Sequence, residues 1–146
     1  MPIMQSEMAR RRETPPTAYV SGARMVAISS FTFTAAFTAA ADKLELGMLP
    51  AGARVVGASL IGENMGAVNA VAGLMSGEPG DPNDARTVGS QLFAATSVQT
   101  AAVSATTLAC LTIAPSNVHR AIGVTLSANI TAAANKKLTL VLEYVF

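Results

Sequence analysis

Lys137-Leu138-Thr139-Leu140-Val141-Leu142-Glu143-Tyr144-Val145-Phe146 carries Leu138, Leu140, Leu142, Tyr144 and Phe146 on one parity and mostly polar or β-branched residues on the other. Successive side chains of a strand point to opposite faces, so this sustained two-residue period predicts a strand with one face turned inward. Tyr144 and Phe146 share that face with the leucines and are expected to pack in the core. The preceding segment has the same period, with Ile122, Val124, Leu126, Ala128 and Ile130 set against Gly123, Thr125, Ser127 and Asn129.

Further toward the N-terminus the strands are shorter and separated by turn residues. Ala114-Pro115-Ser116-Asn117 breaks the chain, and Gly77 to Asp84 is a polar surface loop rich in Gly, Pro, Asp and Asn. Thr87 to Ala95 and Gln99 to Ile113 mix helix-favouring Ala with strand-favouring Thr and Val, and are read mainly as strand. Val68 to Leu74 and Ala53 to Ile61 are strands, the second with Gly57 at a bulge or close approach. Leu49-Pro50-Ala51-Gly52 is a turn, with Gly52 where a positive φ is needed. Asp42 to Leu46 is expected as a short helical or irregular connector. Met25 to Phe37 alternates, placing Phe31, Phe33, Ala35 and Phe37 on one face. Short strands at this spacing, with no long amphipathic helix, point to an all-β class, an antiparallel sandwich or barrel; a jelly-roll β-sandwich is the preferred topology, although strand order does not follow from these patterns.

The 146 residues carry ten basic and nine acidic side chains, a formal charge of +1, so no global field recruits nucleic acid or an anionic membrane. Charged residues make up 13% and apolar types 51%; a chain so poor in charge either spans a membrane or hides surface against copies of itself or a scaffold. The charge-free stretch from Thr87 to Val118 is interrupted throughout by Ser, Thr and Gln, a poor pattern for a lipid-facing helix. Met25 to Ala41 follows arginines in the manner of a signal peptide, but its Phe31-Thr32-Phe33-Thr34 alternation is strand-like. A homo-oligomer, dimer or trimer, is therefore expected, with no membrane and no nucleic acid among its partners. The single cysteine, Cys110, forbids an intrachain disulfide, is compatible with a reducing cytoplasm, and is expected as a small buried apolar group.

Residues 1–17 stand apart: Arg10-Arg11-Arg12, Glu13 and Pro15-Pro16 occur without apolar periodicity. Such a segment is disordered or extended in isolation and takes order from a neighbour or from its own domain. The expected organisation is an extended arm over 1–17 and a sandwich over 18–146. Arg10, Arg11, Arg12, Pro15, Pro16 and Tyr19 are the candidate interface residues. Guanidinium groups pair with an acidic neighbour, while the flanking Glu7 and Glu13 and the lack of interleaved aromatics argue against nucleic acid.

No catalytic, metal or cofactor set can be assembled. His119, the only histidine, stands near Ser116 without a recognised relay and reads as a loop or interface histidine. Glu78, Asp81 and Asp84 lack the ligand alternation of a calcium loop.

Ala41-Asp42-Lys43-Leu44-Glu45-Leu46-Gly47-Met48-Leu49-Pro50-Ala51-Gly52, running into Val55-Val56-Gly57-Ala58-Ser59-Leu60-Ile61, resembles small virion proteins of tailed bacteriophages, as does the terminal hydrophobic strand. The resemblance covers about half of the chain and encodes a turn and a strand rather than a site. It implies a head cement or decoration protein whose partner is the major capsid protein. Such a protein is not an enzyme; it sits on the outer capsid surface of a virion assembled in the host cytoplasm. A carbohydrate- or receptor-binding β-domain of a head fibre or tail is the alternative, weakened by the absence of Trp and the presence of only Tyr19 and Tyr144 as tyrosines.

Overall fold

A computed structural model describes residues 3–12, 23–98, 103–104 and 108–146. Strands β1 (Met4–Gln5), β2 (Met25–Thr32), β3 (Leu44–Leu49), β4 (Arg54–Glu63), β5 (Asn69–Met75), β6 (Phe93–Ser97), β7 (Val103–Ser104), β8 (Arg120–Leu126) and β9 (Lys137–Val145) form two sheets, and Leu108–Leu111 forms the short helix α1. The sheets run β2-β9-β4-β7 and β1-β3-β8-β5-β6. From β2 to β9, first pairs with last, second with penultimate, and so inward: β2 with β9, β3 with β8, β4 with β7, β5 with β6, all antiparallel. This is one long hairpin of strands rolled into two packed layers, the jelly roll preferred above, with a strand order that the pattern alone did not give. Strand β1 is an addition, parallel to β3 at the sheet edge.

The terminal strand occupies the middle of its sheet, between β2 and β4. Leu138, Leu140, Leu142 and Tyr144 point inward and are buried, and the Tyr144 and Phe146 rings meet edge to face at 5.7 Å. Phe31, Phe33 and Phe37 continue the core as two further edge-to-face contacts. Aromatic edges carry partial positive charge and faces partial negative charge, which favours these perpendicular pairs. The turn after Leu49 closes with Ala53 N–H donating to Pro50 O at 3.1 Å, and Gly52 holds φ +80°, a conformation costly for any residue with a Cβ.

Burial pushes the Tyr144 phenol up to about 12, because the phenolate cannot be hydrated there. A folded-state value above the ordinary value near 10 means that the native chain holds a proton the unfolded chain releases. Tyr144 therefore stabilises the fold fully below about pH 10, and that contribution is lost as pH rises toward about 12. Alkaline titration followed at 295 nm is expected to show this delayed ionisation and a falling Tm over the same window. An ordinary tyrosine titration, assigned with Tyr19→Phe, would contradict it.

Three expectations change. The stretch expected as a connector over Asp42 to Leu46 contributes instead to β3, because β8 on one side and β1 on the other supply its hydrogen-bond partners. A bulge between Glu45 and Gly47 obscures its period, and the whole strand is buried. Between Thr87 and Ala95, only an isolated bridge at Val88 and the start of β6 are strand-like. Within Gln99 to Ile113 the described residues give β7 and then α1, where Leu and Ala form a helical turn in the absence of a sheet partner. Cys110 in α1 is fully buried, and burial pushes its thiol up, so it serves as the small apolar group expected.

Candidate assembly surfaces

The two sheets present different outer faces. On the larger sheet, Glu45, Gly123 and Gly73 lie directly opposite one another across β3, β8 and β5. The two glycines leave a trough, and the chain after β5 fills it: a Cβ on Gly73 would sit 2.5 Å from the Gly89 carbonyl carbon, and one on Gly123 would sit 2.8 Å from Val88. The returning limb is held by Gly89 N–H donating to Leu74 O and Ser76 N–H donating to Thr87 O, both at 2.9 Å. It buries Met75 and Ala121 on this outer face. Loop Gly77 to Asp84, expected as a surface loop, is mostly exposed but anchored from below.

The anchor is an ion pair. Arg86 and Glu45 are 3% and 0% exposed, with Arg86 Nη1 2.5 Å from Glu45 Oε2. Arg86 also donates to Ser76 O at 2.6 Å and Asp81 O at 2.7 Å, while Glu45 accepts from Gln5 Nε2 at 3.0 Å and from Gly80 N–H at 2.8 Å. Desolvating two charges is tolerable only when each is met by opposite charge and hydrogen bonds, and here Arg86 Nη2 alone of the pair's polar atoms is buried without a partner. One network thus ties β1, β3 and the loop together. The sequence reading did not single out Arg86; its signal is a lone cation closing an otherwise acidic loop.

Residues 3–12, the described part of the segment expected as an arm, lie on this same sheet. Ser6 N–H donates to Glu45 O at 2.9 Å, and Ser6 Oγ accepts Ala9 N–H at 3.2 Å while its hydroxyl donates to Leu46 O. This caps a turn that buries Met8 and Ala9 and presents Arg10, Arg11 and Arg12 to solvent. Arg10 and Arg12 pair with Glu7 at 3.8 and 3.3 Å, both in exposed positions where such pairs contribute little. Arg11, at φ +60°, donates through Nε to Pro79 O at 3.1 Å. Pro15, Pro16 and Tyr19 lie outside the described residues.

The outer face of β2, β9 and β4 differs. Val26 and Ile28 are 44% and 61% exposed, and Ile28 stands opposite Val141, which stands opposite Ser59. Val56, Ile61 and Val145 are half-exposed on the same face. Charged side chains frame this patch: Arg24 and Glu143 pair at 3.7 Å, Lys137 stands opposite Glu63, and Arg54 stands opposite Val145. Strand β2 is also an edge of its sheet and contains neither Lys nor Pro, the residues that discourage edge contacts.

At one end of the sandwich, Arg11, the Gly77 to Pro79 stretch and Asn117 to Arg120 line a cleft of about 470 Å³. His119 Nδ1 accepts the Ala51 N–H at 3.0 Å rather than serving a Ser–His relay, and Ser116 Oγ accepts Val118 N–H at 3.3 Å. Among the described residues no group of three or more His, Cys, Asp or Glu side chains is placed to hold a metal ion, and no helix is long and apolar enough to cross a membrane.

The chain is thus a jelly-roll β-sandwich with one outer face packed by its own loop and an exposed apolar patch, Val26 and Ile28, on the other. No family model matches the sequence, and no curated protein matches it. Among solved structures, a chain in the capsid of Ralstonia phage GP4 superposes with a TM-score of 0.89 at 33% identity, the match covering 98% of this chain and 97% of that one. A chain in the capsid asymmetric unit of cyanophage Pam1 has the same fold, with a TM-score of 0.61 at 22% identity over 92% of this chain and 93% of that one. The chain belongs to the family of the Ralstonia phage capsid chain and is a structural protein of a phage virion.

Proposed function

We propose that this chain is a cement protein, which binds the outside of a phage capsid and ties adjacent major capsid subunits together as a dimer or trimer. The observation that carries this reading is the unequal covering of the sheets: the fold seals one outer face with residues 76–91 and leaves Val26 and Ile28 exposed on the other. Burying that face against a capsid would recover about 25 cal/mol per Å² of apolar area removed from water. In this reading, residues 1–17 are the arm and 18–146 the body; β1, Met8 and Ala9 of the arm pack on the body, and Arg10, Arg11, Arg12, Pro15, Pro16 and Tyr19 are the residues that reach acidic groups on a neighbour. No bond is made or broken. A partner that binds only the mature shell stabilises it by mass action, by about 2.7 kcal/mol per site at a hundredfold excess over Kd.

Ile28→Glu tests this, since the side chain is exposed and its replacement leaves the core intact. Sedimentation with capsids lacking this chain is expected to show at least about tenfold weaker binding with the Tm little changed. Undiminished binding would remove the bare face from the contact. Attachment of the isolated chain to host cells, with no affinity for capsids, would favour the receptor-binding alternative.

A further inference from the structure

The geometry points to a carboxylate-binding cleft at the end of the sandwich, built by Arg11, His119 and Arg120, that receives an Asp or Glu side chain from a neighbouring virion subunit. This rests on the virion reading for the source of the carboxylate, though not for the cleft itself.

Three donors line the one cleft. The bond from Arg11 Nε to Pro79 O fixes that guanidinium and, among the described residues, leaves its two terminal amino groups uncommitted. A guanidinium fixed in this way loses less side-chain entropy when it closes on a second acceptor. His119 accepts the Ala51 N–H on Nδ1, so the neutral ring carries its proton on Nε2 and is a donor there. Arg120 donates Nη2 to Ala114 O at 2.9 Å, but its Nε is buried without a partner. Burial also lowers the Arg120 pKa, because desolvation disfavours the charged form. A carboxylate in the cleft supplies negative charge to the two guanidinium groups and acceptor oxygens to the terminal amino groups of Arg11 and to His119 Nε2–H, while the buried Arg120 Nε stays out of its reach.

The acids nearby select among anions. Glu78 stands in this cleft, and the adjoining cleft, also about 470 Å³, shares Arg11, Glu78 and Pro79 and adds Asp81. A phosphodiester chain running along both would meet two carboxylates, whereas a single Asp or Glu side chain meets only Glu78. Like charge at that spacing disfavours a polyanion and tolerates one carboxylate. A protein loop is therefore the occupant, not nucleic acid.

The test is an NMR titration of the full-length chain with sodium acetate against sodium chloride at equal ionic strength. Saturable shifts are expected at residues 77–79 and 117–120 and in the Arg11 side chain. Arg11→Gln and Arg120→Gln should each weaken the acetate response about tenfold, the usual worth of one charge-assisted hydrogen bond. Glu78→Gln, at an exposed site with no fold to disturb, should tighten it and should also tighten capsid binding. Shifts confined to Arg10 to Arg12, or an acetate response unaltered in all three variants, would overturn the cleft. Tighter occupancy by an eight-nucleotide oligothymidylate than by acetate would overturn the choice of partner. If wild-type chain fails to bind capsids, the cement reading fails, and the acetate titration still decides the cleft.

Discussion

Arg86→Met is expected to destabilise the fold by about 3–5 kcal/mol, the cost of leaving a buried charge without its partner. The substitution keeps much of the side-chain volume but strands Glu45, which is 0% exposed and would retain only the Gln5 amide and the Gly80 N–H. The carbonyls of Ser76 and Asp81 lose their donor as well. Arg86→Lys keeps the charge yet cannot reach those acceptors with the fork geometry of a guanidinium, so an intermediate loss is expected. Adding Glu45→Gln to Arg86→Met removes the orphaned charge and should restore part of the loss, giving a coupling above about 1 kcal/mol in a double-mutant cycle. Urea denaturation measures all of these. A single-variant loss below about 1 kcal/mol, the range of a solvated surface pair, would show that water reaches the site. Hydrogen exchange at Gly80 should accelerate in parallel, because its N–H donates to this carboxylate.

Leu140→Ala is expected to cost about 2–5 kcal/mol as a cavity in the middle of the sandwich. Leu140 is fully buried on the central strand, opposite Ser29 on β2 and Leu60 on β4. It also reaches across to the other sheet, where a Cβ on Gly47 would lie 3.1 Å from Leu140 Cδ2 and 3.0 Å from Ser29 Oγ. Gly47→Ala alone should therefore overpack the interface and cost about 1–3 kcal/mol. Combined, the new methyl enters space vacated by the leucine, and the double variant should be more stable than the sum of the two losses predicts. Strict additivity would mean that the sheets do not meet at this point.

Met8 and Ala9 are buried and Gln5 joins the Glu45 network, so removal of residues 1–12 would disturb the body as well as any capsid contact. Charge-removing changes at Arg10 and Arg12, which hold only exposed pairs with Glu7, separate the two effects.

The parity of Leu138 to Phe146 was legible because a half-buried strand needs no partner to declare its faces: burial and a two-residue period suffice. The turn at Leu49 to Gly52 was legible because Pro and Gly restrict φ locally. His119 drew notice as a lone imidazole, and its placement beside Arg11 and Arg120 depends on a turn, a loop and an N-terminal segment that are remote in sequence. Strand β3 escaped because a bulge breaks its period and both neighbours are distant along the chain. Glu45 likewise reads as a surface acid until Arg86, forty-one positions on, is brought against it.

Short-range rules of period and turn chemistry by themselves determined that this protein is all-β with Tyr144 in the core, while Phe146 packs against that core half-buried at its rim. Which outer face is covered, and where the end cleft opens, was decided only by tertiary structure. Both depend on contacts between distant segments: backbone lying over Gly73 and Gly123, and a buried cation meeting a buried anion across the sheet. Such contacts leave no local period, since their free energy exists only once the chain has closed.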